Sequence, residues 1–105
     1  MIFGLFSSSK VDEFAKHLAQ GIARRYPPAI ANNPDQIVSQ QRISEILEEA
    51  FAPAHQFRAE NRLGVLSRAK LRNTFKWELR EIGYDEEFIE LATGELTTRL
   101  ASGQP

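Results

Sequence analysis

Apolar residues recur along most of the chain at spacings of three and four, which is the pattern of amphipathic α-helices. A first apolar stripe precedes Pro27 and Pro28, and these two prolines end the predicted helix. Ser9 stands just before the stripe and is the candidate N-cap. The stripe consists of Val11, Phe14, Ala15, Leu18, Ala19, Ile22 and Tyr26.

A second helix start is indicated by the run Asn33-Pro34-Asp35-Gln36. This run supplies a capping side chain, a proline at the first helical position and an acid in the first turn. Pro53 closes the helix near Ala52. The predicted buried face consists of Ile43, Ile46, Leu47, Ala50 and Phe51. Residues 54–64 are ambiguous between a short helix and a loop.

The second half of the chain predicts two further helices. The pattern over residues 65–82 predicts a long helix with Gly83 as its left-handed C-cap. Its apolar residues form two arcs, which is typical of a central helix packed on both sides. One arc contains Leu71, Phe75, Leu79 and Ile82, and the other contains Leu63, Leu66 and Trp77. Asp85 caps a last helix, whose predicted buried residues are Phe88, Ile89, Ala92, Leu96 and Leu100.

These elements predict an all-α fold: a single compact bundle of four to five helices, crossed rather than regularly up-and-down. The chain has 105 residues, of which 42% are hydrophobic and 26% charged, so it is long enough for one domain with one core. We assign residues 1–101 to this domain. Residues 1–8 form an apolar N-terminal arm outside the helices, and residues 102–105 form a disordered tail.

Charge is distributed in alternating blocks along the chain. The net charge is −1, and the blocks carry +2 over residues 1–26, −3 over 35–51, +4 over 57–82 and −4 over 85–101. Such alternation allows the basic helix to be neutralised by the two acidic helices within the molecule.

A row of basic side chains marks the predicted helix over residues 65–82. Four cations recur every fourth residue and lie along one side of that helix, where they are able to follow a phosphate backbone. Two more extend the row upstream if the helix is continuous. The candidate contact residues for a partner or a nucleic acid are Arg58, Arg62, Arg68, Arg72, Lys76 and Arg80. The near-zero net charge argues against nucleic acid, because nucleic-acid-binding domains are usually basic as a whole.

More specific chemistry finds little support. A helix-turn-helix centred on Gly64 fits poorly, because it places Lys70 near a position that the motif buries. Glu13 and His17 share a helix face, but two ligands do not make a metal site. The chain lacks a phosphate loop, a nucleophile elbow and an HExxH pair, and it contains no cysteine. We therefore expect no enzymatic activity, no cofactor and no bound metal.

The N-terminal arm offers a candidate apolar interface at Ile2, Phe3, Leu5 and Phe6. These side chains either cover the core or meet a partner or a second copy of the chain. We expect no integral membrane association, since no apolar run approaches the ~20 residues of a spanning helix. The resulting expectation is a small non-catalytic interaction or accessory protein of the cytoplasm, with a protein partner or self-association as a homodimer. Nucleic-acid binding through the basic helix is the alternative.

Overall fold

The structure is a computed structural model that describes the backbone of residues 2–101 and the side chains of residues 9–101. It is an all-α bundle, as predicted, with five helices of eight or more residues and one four-residue helix in the described range. In chain order they are α1 (Ile2–Arg25), α2 (Pro28–Ala31), α3 (Gln40–Ala50), α4 (Ala54–Asn61), α5 (Val65–Ile82) and α6 (Glu86–Ala101). The predicted tail at 102–105 lies outside the described residues.

Helix α1 begins earlier than the sequence analysis predicted. It starts at Ile2, so Ser9 lies inside the helix and the predicted N-cap is wrong. The prediction that an N-terminal arm lies outside the helices is wrong for the same reason, since residues 2–8 are helical. No proline interrupts residues 2–26, and the serines at 7–9 each lower helix stability by well under ~1 kcal/mol. The interface role of Ile2, Phe3, Leu5 and Phe6 concerns side chains that lie outside the described residues.

The start of α3 also differs from the prediction. Its N-cap is Ser39, whose hydroxyl accepts a hydrogen bond of 3.1 Å from the backbone N–H of Arg42. The side chain of Asn33 instead accepts from the N–H of Asp35 at 2.9 Å. Asparagine favours caps and turns through the same short bond to a nearby backbone N–H, and here the turn forms.

The ambiguous segment at 54–64 contains a helix and a tight connection. Helix α4 ends at Asn61, and its C-cap Arg62 adopts the left-handed conformation with φ 50°. Gly64 then takes the N-cap position of α5. Arg58 and Arg62 are therefore not on the same helix as the basic row, so the condition under which they would extend it is not met.

Hydrogen bonds join the connection between α1 and α3 to the turn between α5 and α6. The Asn32 side chain donates to the Gly83 carbonyl at 2.8 Å and accepts from the Asp85 N–H at 3.2 Å. The Tyr84 hydroxyl donates to the carbonyl oxygen of Tyr26 at 2.6 Å. These bonds hold the residues around α2 beside the N-terminal end of α6. Gly83 and Asp85 are the predicted caps of α5 and α6, and the Asp85 carboxylate accepts from the Phe88 N–H at 3.0 Å.

The core lies where α5 packs against both α1 and α6. Phe51 of the α3 C-terminus meets Phe75 of α5 edge-on, with ring centroids 5.5 Å apart. The predicted stripes of α1, α3, α5 and α6 are buried, with Phe14, Ile43 and Ile82 half-buried at the margin of the core. These stripes confirm the predicted core faces.

The prediction that the second apolar arc of α5 is packed against a neighbour is wrong. Leu66 is 85% exposed and Trp77 is 56% exposed, while Leu63 is buried in the connection before α5. Helices α1 and α6 both pack against α5, and the buried α5 side chains, Leu71, Phe75 and Leu79, all belong to the first arc.

Candidate interaction surfaces

The basic row on α5 is largely engaged within the molecule. Arg80 donates to Glu86 of α6 through Nε at 2.7 Å and through Nη2 at 3.0 Å. Lys76 Nζ lies 3.5 Å from the Glu90 carboxylate, one turn further along α6. Arg68 donates to the Leu63 carbonyl oxygen at 3.4 Å, which turns it back to the connection before α5. The row is not an uninterrupted free stripe of cations.

The pair between Arg80 and Glu86 sets the ionisation of both groups. The hydrogen bonds from Arg80 lower the pKa of the Glu86 carboxyl below its usual value, and Lys76 lowers it further. The same hydrogen bonds raise the pKa of Arg80. Both groups are therefore held in their charged forms.

The other basic candidates lie apart from that row. Arg58 is half-buried on α4, and its Nε atom has no hydrogen-bond partner among the described residues. Arg62 is exposed in the connection that follows α4. Lys70 is exposed on α5 and lies 3.9 Å from Asp12 of α1, which also accepts from the Thr74 hydroxyl at 2.8 Å. The exposed Lys70 occupies the position that a helix-turn-helix would bury, and this weakens that motif further.

The acidic residues of α6 divide between its two flanks. Glu86 and Glu90 are four residues apart, share one flank and face the cations of α5. Glu87 and Glu95 are separated by eight residues and share the other flank with Leu91, which lies midway between them. On this second flank Leu91 is 48% exposed.

Leu91 lies in a groove between α3 and α6. One part of the groove, about 160 Å³, is lined by Gln40, Ile43, Ser44, Leu47, Leu91 and Glu95. The adjoining part, about 320 Å³, extends to the connection between α1 and α3. It is lined by Tyr26, Ala31, Gln40, Ile43, Asp85, Glu87, Phe88 and Leu91. The two parts share three lining residues and so form one groove. It has apolar walls and acidic edges, and none of its lining residues in the described part of the chain is basic.

Tyr26 lines one end of the groove, and the hydroxyl of Tyr84 donates a hydrogen bond to its backbone carbonyl oxygen. Tyr84 and Tyr26 both pack on Phe88, with ring centroids 4.8 Å and 5.4 Å from it. Burial, followed by the neighbouring Tyr26, raises the pKa of Tyr84 well above its usual range. Burial and the nearby Asp85 raise the pKa of Tyr26. Both tyrosine hydroxyls are therefore uncharged at neutral pH, and Asp85 supplies the charge at this end of the groove.

A second hollow lies between α1 and α4. It is wider, about 550 Å³, and is lined by Lys10, Glu13, Phe14, Phe57, Glu60 and Asn61. The two aromatic rings that line it, Phe14 and Phe57, already stack on each other in parallel, with centroids 3.9 Å apart. Its edges carry both signs of charge. This hollow therefore selects no particular partner chemistry.

Metal chemistry gains no support from the histidines. His17 lies beside the Phe14 ring with centroids 6.2 Å apart. Among the side chains at 9–101, no group of three or more His, Cys, Asp or Glu residues is arranged to hold an ion. In the same part of the chain, no helix combines the length and apolar character needed to cross a bilayer.

Comparison with protein-family models, with curated proteins and with solved structures yields no match to this chain. The groove is the feature that sequence reasoning missed. Its signal in the sequence is Leu91, an apolar residue outside the buried stripe of α6 with an acid four residues to either side.

Proposed function

We propose that this chain is a small, non-catalytic interaction protein that binds a segment of a partner protein in the groove between α3 and α6. The observation that carries the proposal is the partly exposed Leu91 facing Ile43 across an open, apolar-walled groove. Short helical segments of partner proteins commonly insert apolar side chains into grooves of this kind. The chain carries no cysteine, which fits a reducing cytoplasm, and we propose that location.

The packing around the groove supports a preformed site. Its α3 wall rests on Leu47, which is buried, and its far end is held by the hydrogen bond from Tyr84 to Tyr26. A preformed groove binds with a smaller ordering cost than one that must fold around its ligand.

The proposal is tested by selecting helical peptides from a display library on the wild-type protein. Selected peptides are then compared on Leu91→Gln and on Leu66→Gln. Both substitutions replace an exposed leucine by a neutral polar residue, and Leu66 lies on α5, away from the groove. We expect Leu91→Gln to weaken binding by roughly tenfold, since it removes an apolar contact, and Leu66→Gln to leave it unchanged.

Two outcomes would contradict this proposal. One is a selection that enriches no peptide sensitive to Leu91→Gln. The other is sedimentation showing a stable dimer that Leu91→Gln dissociates, because the groove would then belong to a second copy of the chain.

Nucleic-acid binding is tested separately with mixed-sequence DNA and RNA, read by anisotropy and by Trp77 fluorescence at two salt concentrations. We expect no tight binding, because Lys76 and Arg80 already pair with Glu90 and Glu86 of α6. Binding that weakens by more than about tenfold between ~50 and ~200 mM salt would instead indicate several phosphate contacts and favour the basic-helix hypothesis.

A further inference from the structure

The charge around the groove indicates what kind of segment occupies it. Among the described residues that line it, three are acidic, namely Asp85, Glu87 and Glu95, and none is basic. The opposite wall, from α3, contributes only the neutral polar side chains of Gln40 and Ser44 beside its apolar residues. A partner that enters this groove therefore meets a negative potential along the α6 edge.

On this edge Asp85 accepts a hydrogen bond from the Phe88 N–H, whereas the carboxylates of Glu87 and Glu95 are not paired with the described residues. On the other flank of α6, Glu86 and Glu90 lie 2.7 Å and 3.5 Å from cations of α5. The carboxylates of Glu87 and Glu95 form no ion pair or hydrogen bond with the described residues. The same helix thus presents neutralised carboxylates towards the bundle and free carboxylates towards the groove.

The spacing along α6 defines a complementary pattern. Glu87, Leu91 and Glu95 follow one another at intervals of four residues, so each step is about one helical turn, roughly 6 Å. The pattern of acid, apolar residue and acid is symmetric about Leu91. A partner helix that carries a cation about one turn before and one turn after an apolar anchor matches all three groups in either direction.

We infer that the partner segment is a basic amphipathic helix with an apolar anchor flanked at one-turn spacing by Lys or Arg. The inference rests on the proposed function and adds the chemistry of the partner. The acidic lining residues 85–95 span about 15 Å of α6, so a helix of about three turns covers the site. The apolar anchor contacts Leu91 and Ile43, and the cations reach Glu87 and Glu95.

The test uses three synthetic helical peptides that share one leucine anchor and differ only in the flanking residues, which are Lys, Gln or Glu. Binding is measured by fluorescence anisotropy at low and high salt. We expect the Lys peptide to bind at least about fivefold more tightly than the Gln peptide at low salt, and the Glu peptide to bind most weakly. The advantage of the Lys peptide shrinks as salt rises.

Matched protein variants assign the effect to the groove edge. Glu87→Gln combined with Glu95→Gln removes the advantage of the Lys peptide. Glu81→Gln combined with Glu48→Gln makes the same change in net charge at exposed carboxylates that do not line the groove, and it leaves most of the advantage in place.

The outcomes separate this inference from the proposed function. If the Gln and Lys peptides bind equally and both depend on Leu91, the groove is a docking site but the partner is not basic, and the inference is wrong. If no peptide depends on Leu91, the proposed function and the inference both fail.

Discussion

Arg80 and Glu86 form a two-pronged ion pair across the turn between α5 and α6, with N–O distances of 2.7 Å and 3.0 Å. A second pair, between Lys76 and Glu90, lies beside it at 3.5 Å. Together they convert the alternation of basic and acidic blocks in the sequence into contacts within the bundle. The charge that remains uncompensated is on the other flank of α6, where it borders the groove.

The Arg80–Glu86 pair makes the ionisation of Glu86 depend on Arg80. We expect Arg80→Gln to raise the pKa of Glu86 towards its usual value, because the hydrogen bond from Arg80 is the main cause of its lowered pKa. Lys76→Gln, the control, produces a smaller rise, since Lys76 is the weakest contributor. The measurement is a carboxyl titration followed by NMR. An unchanged Glu86 titration in Arg80→Gln would contradict the pair.

The sign of the pH effect follows from the direction of this shift. A carboxyl whose pKa is lowered by folding stabilises the native state above its unfolded pKa, about 4.3 for Glu. That contribution disappears as the pH falls through the lowered pKa of the folded state. Acid unfolding of Arg80→Gln should therefore lack this part of the pH dependence.

The hydrogen bond from Tyr84 to the Tyr26 carbonyl is expected to contribute measurably to stability. Tyr84→Phe leaves that carbonyl without its donor and should lower the free energy of unfolding by about 1–3 kcal/mol. Tyr26→Phe is the matched control, because it removes a hydroxyl from the same aromatic cluster while keeping the bond. Urea denaturation of both variants gives the comparison. Equal losses would show that this bond has no special weight.

Alkaline pH tests the same contact independently. Burial raises the pKa of Tyr84 in the folded state, so its contribution to stability is complete below the unfolded pKa of about 10. It is lost as the pH rises above that value towards the pKa of the folded state. We expect the stability of the wild type to fall more steeply with alkaline pH than that of Tyr84→Phe. Parallel curves for the two proteins would contradict the raised pKa.

Two glycines should respond to alanine in opposite directions. Gly83 has φ 119°, which L-residues rarely adopt, so Gly83→Ala should lower the free energy of unfolding by about 1–2 kcal/mol. Gly94 lies within α6, and a Cβ there meets no atom within 4 Å beyond its chain neighbours and the backbone of its own helix. Gly94→Ala should raise the stability by about 0.5–1 kcal/mol. Thermal unfolding distinguishes them, and a stabilising Gly83→Ala would show that the α5 C-cap differs from the one described.

The two faces of α5 should differ sharply in sensitivity. Leu71 is fully buried, so Leu71→Ala should cost about 2–5 kcal/mol. Leu66 is mostly exposed, so Leu66→Ala should change the stability by less than about 0.5 kcal/mol. Denaturant unfolding gives both values. If Leu66→Ala lowered the free energy of unfolding as much as Leu71→Ala, Leu66 would be packed in a second buried arc, contrary to the structure.

Much of the fold was predictable because local signals agreed with the final packing. The bounds of α5 match the predicted 65–82 range, since its apolar period is regular and Gly83 ends it. The start of α3 was not predictable in the same way. The side-chain amide of Asn33 suits a helix cap and a turn equally well. Only the surrounding residues of the folded chain select between the two.

The groove could not be predicted from the sequence, because its walls come from segments about 50 residues apart. Leu91 by itself resembles an ordinary exposed apolar residue, which soluble proteins carry in large numbers. Only the packing of α3 beside α6 places Ile43 opposite it. The basic row and its neutralisation by acidic helices were predictable from the charge blocks, but the particular partners Glu86 and Glu90 depended on the turn at Gly83.

The most direct test of the account is an amide chemical-shift map of the isotopically labelled protein during titration with the Lys-flanked helical peptide. We expect the largest changes along the groove, at Ile43, Leu47, Leu91 and Glu95. Changes centred instead on the exposed face of α5, at Leu66 and Trp77, would contradict the account and move the binding surface to the other side of the bundle.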